Sequence, residues 1–183
     1  GNISAIGRGF EMLRELGLID KYPRLVCAQA EQADPLYRSY KSGFKKFEAI
    51  QAKKTLASAI QIGDPVSVKK AIKTLQIFDG IVEEATESEL ANAVGRANLT
   101  GLLCCPHTGV ALAVLEKLVN RGEISKSDRV VVVSTANGLK FTDFLHKYHT
   151  DKLEGISSDF ANAPIDLPAD YEKVKEAILN SVD

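Results

Sequence analysis

The sequence lacks most of the features that mark membrane, secreted or nucleic-acid-binding chains. No run of apolar residues approaches the length that spans a bilayer, and the first residues show no signal-peptide pattern. Cysteine is scarce. Cys27, Cys104 and Cys105 cannot build a disulfide framework, so a reducing compartment is the expectation. Charge of one sign is lacking too. With 23 Lys and Arg against 24 Asp and Glu, the formal net charge is −1, which excludes a broad attraction to nucleic acid or to an anionic membrane. A local basic stretch, Lys41, Lys45, Lys46, Lys53 and Lys54, has no set of aromatic residues for stacking bases and reads as solvated surface. No internal repeat, low-complexity tract or long linker is evident. Position 1 is not methionine: Gly1-Asn2 runs directly into a helix-like pattern. That pattern is expected of a trimmed chain or of the carboxyl-terminal part of a longer protein.

What remains is an ordinary globular chain. Its 183 residues fit one domain, and 45% apolar residues are enough for a real core. The most informative stretch is Val130-Val-Val-Val-Ser134-Thr135-Ala136-Asn137-Gly138. Four valines followed by hydroxyls and a glycine turn predict a fully buried parallel strand opening into a polar loop. In open α/β sheets ligands sit at that carboxyl end.

Apolar and polar periodicity predicts helices over 4–16, 35–43, 66–75, 87–97, 110–120, 141–148 and 171–179, and strands over 24–28, 80–82 and 128–134. Gly17 is expected to stop the first helix. Thr86 and Glu89 have the spacing of a capping box. Strands alternating with helices make the fold class α/β, with a mainly parallel sheet. The organisation expected is a main region over 1–148 and a tail with a final helix over 149–183.

Five constellations could carry chemistry. Gly1-Asn2 before a helix can offer backbone N–H groups to a phosphate, or be a plain turn. Ser134, Thr135 and Asn137 can face a ring nitrogen of a cofactor, or cap the next helix. Cys104-Cys105-Pro106-His107 lacks further ligands at metal spacing, and a Cys105–His107 nucleophile pair lacks an orienting third group. His107 and Thr108 nonetheless read as a loop presenting polar groups at a helix start. Ser58 and Asp64 lie in a small-residue stretch that ends in a Gly-Asp-Pro turn, which permits close approach of a ligand or simply tight packing. The fifth is the basic stretch above.

The stretches Arg24-Leu-Val-Cys-Ala-Gln-Ala30, Pro35-Leu-Tyr-Arg-Ser-Tyr-Lys-Ser-Gly43, Ala57-Ser-Ala-Ile-Gln-Ile-Gly-Asp-Pro-Val-Ser67, Gly80-Ile-Val-Glu-Glu-Ala-Thr86, Cys105-Pro-His-Thr-Gly-Val-Ala-Leu112 and Val132-Val-Ser-Thr-Ala-Asn-Gly-Leu-Lys-Phe-Thr142 occur together and in order. Taken together they resemble the plant-type threonine synthases. That family belongs to the fold-type-II pyridoxal-phosphate enzymes, which implies a three-layer αβα fold like the tryptophan synthase β chain, with a twisted parallel sheet.

The resemblance implies a cofactor, pyridoxal 5′-phosphate, and a lyase reaction that converts O-phospho-L-homoserine and water to L-threonine and phosphate. It implies that Gly1 and Asn2 end the family's phosphate loop and that Thr135 faces the pyridine nitrogen. Asn137 stands where a histidine is usual. Ser58, Asp64, His107 and Thr108 are candidates to line the substrate site. The Schiff-base lysine precedes the phosphate loop in the family, so no lysine here, Lys140 included, takes that role, and none of these residues is expected to be catalytic. The chain is then the carboxyl-terminal portion of the enzyme, incomplete alone, with the amino-terminal portion as its partner, a homodimer as the complete state and the plastid stroma as its place. Alone, it is expected to be unstable or self-associating through its exposed partner surface. The other reading is a non-catalytic α/β module that binds a phosphate-bearing ligand or a partner subunit.

Overall fold

The computed structural model describes residues 1–181. Its centre is a pair of parallel strands, β1 (Val26–Ala30) and β2 (Ile81–Ala85), in register Val26↔Ile81 through Ala30↔Ala85. Both strands begin and end slightly later than periodicity predicts, because the ladder opens where the Ile81 N–H donates to the Leu25 carbonyl at 2.9 Å.

Side chains alternate across this pair, and each face carries its own helices. One face, with Cys27 and Val82, packs on α1 (Asn2–Glu15), α2 (Pro35–Lys41) and α3 (Val68–Ile77) through Ile3, Leu36, Ala71 and Leu75. The other, with Ala30, Ile81 and Ala85, packs on α4 (Glu87–Asn98) and α5 (Pro106–Asn120) through Leu90, Val110, Val114 and Leu118. The result is helix, sheet, helix: the α/β class read from the alternation, in the three-layer arrangement that the resemblance implies. Two glycines set the spacing. A Cβ on Gly7 would overlap the Thr74 side chain, and one on Gly109 would lie 2.5 Å from the Leu90 carbonyl, so α1 has no room for a side chain there against α3, and α5 meets α4 at backbone-close range.

The local signals behave as their chemistry requires. Gly17 ends α1 at φ +70°, with Leu18 N–H on the Leu13 carbonyl and Gly17 N–H on the Arg14 carbonyl, satisfying carbonyls that the helix leaves open. Thr86 Oγ1 accepts from Glu89 N–H at 3.2 Å while Glu89 Oε2 accepts from Thr86 N–H at 2.8 Å, so the capping box is complete.

Two expectations are corrected. Residues 128–134 form no strand. Val131 is 83% exposed and Val133 55%, and no strand among the described residues lies beside them. A strand exists only through ladder bonds to a neighbour, and valine's β preference cannot supply one. The second correction is α5, which begins at Pro106 and not at Val110. Proline fits the first helical position because its missing N–H would be unpaired there anyway, and Cys105 becomes the N-cap.

Beyond α5, the chain makes a short 3₁₀ turn at Gly138–Phe141 and then α6 (Thr142–His149). Tyr148 is fully buried against Gly95 of α4. The tail folds back here. Asn92 accepts from Tyr148 OH and Asp159 N–H and donates to the Ser157 carbonyl, while Asn162 N–H donates to His149 Nδ1. The last helix, α7 (Tyr171–Asn180), has no buried residue.

Candidate functional site

At the carboxyl end of β2 the chain turns straight into α4, and the N-terminus of α5 lies against the same core. Two loops close on this rim. The first is residues 55–60. Leu56 N–H donates to Glu87 Oε2 at 2.7 Å, and Ala59 N–H donates to His107 Nε2 at 2.9 Å. His107 therefore carries its proton on Nδ1 when neutral. Burial pushes its pKa down, which keeps it neutral at neutral pH. Its ring meets Phe141 edge-on at 5.2 Å.

The second loop is residues 134–138. Asn137 bridges Cys104, and Gly138 N–H donates to the Leu103 carbonyl at 3.0 Å. Asn137 Oδ1 accepts from Leu139 N–H at 2.9 Å, capping the 3₁₀ turn. Ser134 Oγ lies 3.1 Å from Thr108 Oγ1, which lies 3.3 Å from Cys105 Sγ. Thr135 is exposed at the lip of this cluster.

The three thiols differ for physical reasons. Burial pushes Cys27 and Cys104 up to about 11. Burial also acts on Cys105. There it is outweighed by the Thr108 hydroxyl at 3.3 Å and by the polar groups that favour the thiolate nearby, the first N–H groups of α5 at Thr108 and His107 and the Thr135 hydroxyl, so its pKa falls below the ordinary thiol value.

Gly1 and Asn2 lie in the other helical layer, at the start of α1. The first helical bond there is Ala5 N–H to the Gly1 carbonyl, which leaves the N–H groups of Asn2, Ile3 and Ser4 without helical partners. Ser4 Oγ is buried and has no partner among the described residues, no acidic side chain stands in this first turn, and the space around Gly1 is open. This donor set fits a phosphate group.

The structure thus brings together Ser58 (beside Ala59), His107, Thr108, Thr135 and Asn137. No hydrogen bond links Gly1 or Asn2 to that group among the described residues. Asp64 is exposed in a turn held elsewhere, where Gly63 packs on the backbone of Ile50 and Ala52. Cys105 and His107 do not pair: the thiol turns to Thr108 and the imidazole to Ala59. Sequence reasoning missed Ser4, Glu87 and Phe141. Only Ser4 had a signal, its position in the first turn of a helix that opens on glycine.

Residues 1–136 match the family described as pyridoxal-phosphate dependent enzyme. The chain belongs to that family. Its members depend on pyridoxal phosphate, and the phosphate-fitting donor set of α1 and the α/β layers are consistent with it. The chain is 52% identical over 179 residues to threonine synthase 2, chloroplastic, of Arabidopsis thaliana, covering 97% of this chain and 35% of that protein. It is 33% identical over 144 residues to threonine synthase of Methanocaldococcus jannaschii, covering 78% of this chain and 36% of that protein. It is 36% identical over 141 residues to threonine synthase of Methanosarcina acetivorans, covering 76% and 35%. The chain spans about a third of the length of these relatives. Among solved structures, a T.th. threonine deaminase matches with a TM-score of 0.44 at 19% identity, covering 65% of this chain and 52% of that one.

Proposed function

We propose that this chain supplies the carboxyl-terminal portion of a threonine synthase, a lyase that forms L-threonine and phosphate from O-phospho-L-homoserine and water. The observation that carries this reading is the 52% identity to a named threonine synthase, which extends over 97% of the chain. The site chemistry supports it.

When bound, pyridoxal phosphate supplies the electron sink for the reacting carbons of the substrate. The chain's own residues place it. The free N–H groups of Asn2, Ile3 and Ser4, with the Ser4 hydroxyl, hold the phosphate. The exposed Thr135 hydroxyl faces the ring nitrogen. A hydroxyl there does not hold that nitrogen protonated as a carboxylate would, and this favours elimination over competing amino-acid chemistry. Asn137 has its carbonyl committed to the 3₁₀ turn and keeps its amide N–H₂ for the ring side. Neutral His107, with its Nδ1–H, and Ser58 line the substrate side, and Asp64 stands at the outer edge. The lysine that anchors the cofactor belongs to the amino-terminal portion, and the complete enzyme is a homodimer of the plastid stroma.

Co-expression of this chain with the amino-terminal portion of the Arabidopsis relative tests the reading. A folded complex retains pyridoxal phosphate, seen by visible absorbance, and Thr135→Val alters that absorbance and weakens retention. A folded complex that binds no cofactor would leave only the non-catalytic reading.

A further inference from the structure

Thr108 is a sequence candidate to line the substrate site, yet it is only 2% exposed, so no ligand reaches its hydroxyl as the chain is folded. Its single Oγ1 lies between two partners, Cys105 Sγ at 3.3 Å and Ser134 Oγ at 3.1 Å. The first belongs to the N-terminus of α5 and the second to the loop that carries Thr135. That loop is fastened on its far side by the Leu103–Gly138 bond and the Cys104–Asn137 bridge. On its near side the chain arrives from residues 130–133, which have no strand beside them. Ser134 to Thr108 ties down this near side, beside the approach of the Thr135 hydroxyl to Cys105.

We propose that Thr108 is a positioning residue, whose hydroxyl bridges Cys105 and Ser134 and thereby holds the Thr135 hydroxyl in place at the lip of the site. The functional part of this rests on the reading of Thr135 as the ring-nitrogen partner; the tether itself does not. A hydroxyl has one proton, so it donates in only one direction at a time. When Thr108 donates to the sulfur it must accept from Ser134, and one proton order then runs from the loop into the helix N-terminus. The low-titrating Cys105 fits that order, since sulfur that accepts hydrogen bonds holds its negative charge more easily.

The test uses Thr108→Val, which keeps the shape and removes the hydroxyl, Thr108→Ser, which restores it, and Ser134→Ala, which cuts the bond from the exposed side. The first readout is ultraviolet thiolate absorbance of the chain against pH. Cys27 and Cys104 titrate only near about 11, so the earliest thiol reports Cys105. It shifts upward in Thr108→Val and returns in Thr108→Ser. The second is amide hydrogen exchange at Gly138, whose N–H is bonded to the Leu103 carbonyl; it speeds up about three- to tenfold in both Thr108→Val and Ser134→Ala, with no further gain in the double variant. Unchanged exchange in Ser134→Ala, or effects that multiply in the double variant, would overturn the tether. The third is pyridoxal phosphate affinity of the co-expressed complex, which falls in Thr108→Val and recovers in Thr108→Ser. If Thr135→Val leaves that affinity untouched while the exchange result holds, the ring-nitrogen reading fails and the tether stands.

Discussion

The chain contains two groups of valines with opposite fates. Val110 and Val114 on α5 are each 1% exposed, whereas Val131 and Val133 are 83% and 55% exposed. The residue type is the same, and the second group is the more consistently apolar in sequence. The difference is what each one faces. Both α5 valines meet β1, β2 and α4, whose small residues Ala30, Ala85 and Ala93 let the layers close. The 130–133 run meets no strand among the described residues, so neither ladder bonds nor a packed face are available to it. Hydrophobic patterning states what a segment is able to bury. Burial itself depends on a surface that some other segment must provide.

Truncation on each side separates the two cases most sharply. Leu118→Ala, in the same buried layer as Val110, should cost about 2–5 kcal/mol of unfolding free energy, while Val131→Ala should stay within about 0.5 kcal/mol. Urea denaturation of the two variants measures this, and a large loss at Val131 would show that the run is packed in solution.

A second contrast lies inside β2. Glu83 is 3% exposed and held by Arg121 and Lys117, while its neighbour Glu84 points to the other face, against Asp34. Glu83→Ala should cost about 1–3 kcal/mol, less than a core truncation because Arg121 remains half exposed and can hydrate.

Their titrations carry opposite signs. Burial disfavours ionised Glu83, but the bonds from the Glu84 N–H and Arg121 outweigh it, leaving its pKa low. Its contribution is present above the unfolded carboxylate range and lost as pH falls through the folded value. Glu84 is pushed up to about 7 by burial and by its bond to Asp34. Its contribution is fully present below the unfolded value and lost as pH rises through about 7. Stability should therefore fall from about pH 5 to about pH 8, by an amount that Glu84→Gln removes and that Glu83→Gln leaves in place. A denaturation series against pH reads both.

Self-association should change stability least of all. Leu102, Leu103 and Leu139, all exposed, flank the loop that follows the valine run and extend its apolar surface. Sedimentation should show the isolated chain associating, and Val131→Lys should shift it toward monomer with little change in unfolding. A sharp monomer in the unsubstituted chain would contradict the partner-surface reading.

The legible features were those whose chemistry is local. The Thr86–Glu89 box and the Gly17 stop need only residues within one helical turn, and both form as spelled. The alternation of strands and helices gave the α/β class, because each element carries its own apolar stripe, and the three layers came from the family resemblance. The valine strand failed because its cause lies in a neighbour. The start of α5 was misplaced because Pro106 reads as a loop residue until it is seen to fit the first helical position, and that shift turned Thr108 from a loop side chain into a buried one. The cluster of Ser58, His107, Thr108, Thr135 and Asn137 joins residues far apart in sequence. The motifs named its members, and only the fold shows which of them touch.

Assay of the co-expressed complex with O-phospho-L-homoserine tests most directly whether this chain supplies half of a threonine-forming site. The expected result is L-threonine and inorganic phosphate in equal amounts, with neither formed when this chain or the amino-terminal portion is omitted. A folded complex that holds pyridoxal phosphate yet releases no phosphate from O-phospho-L-homoserine would contradict it.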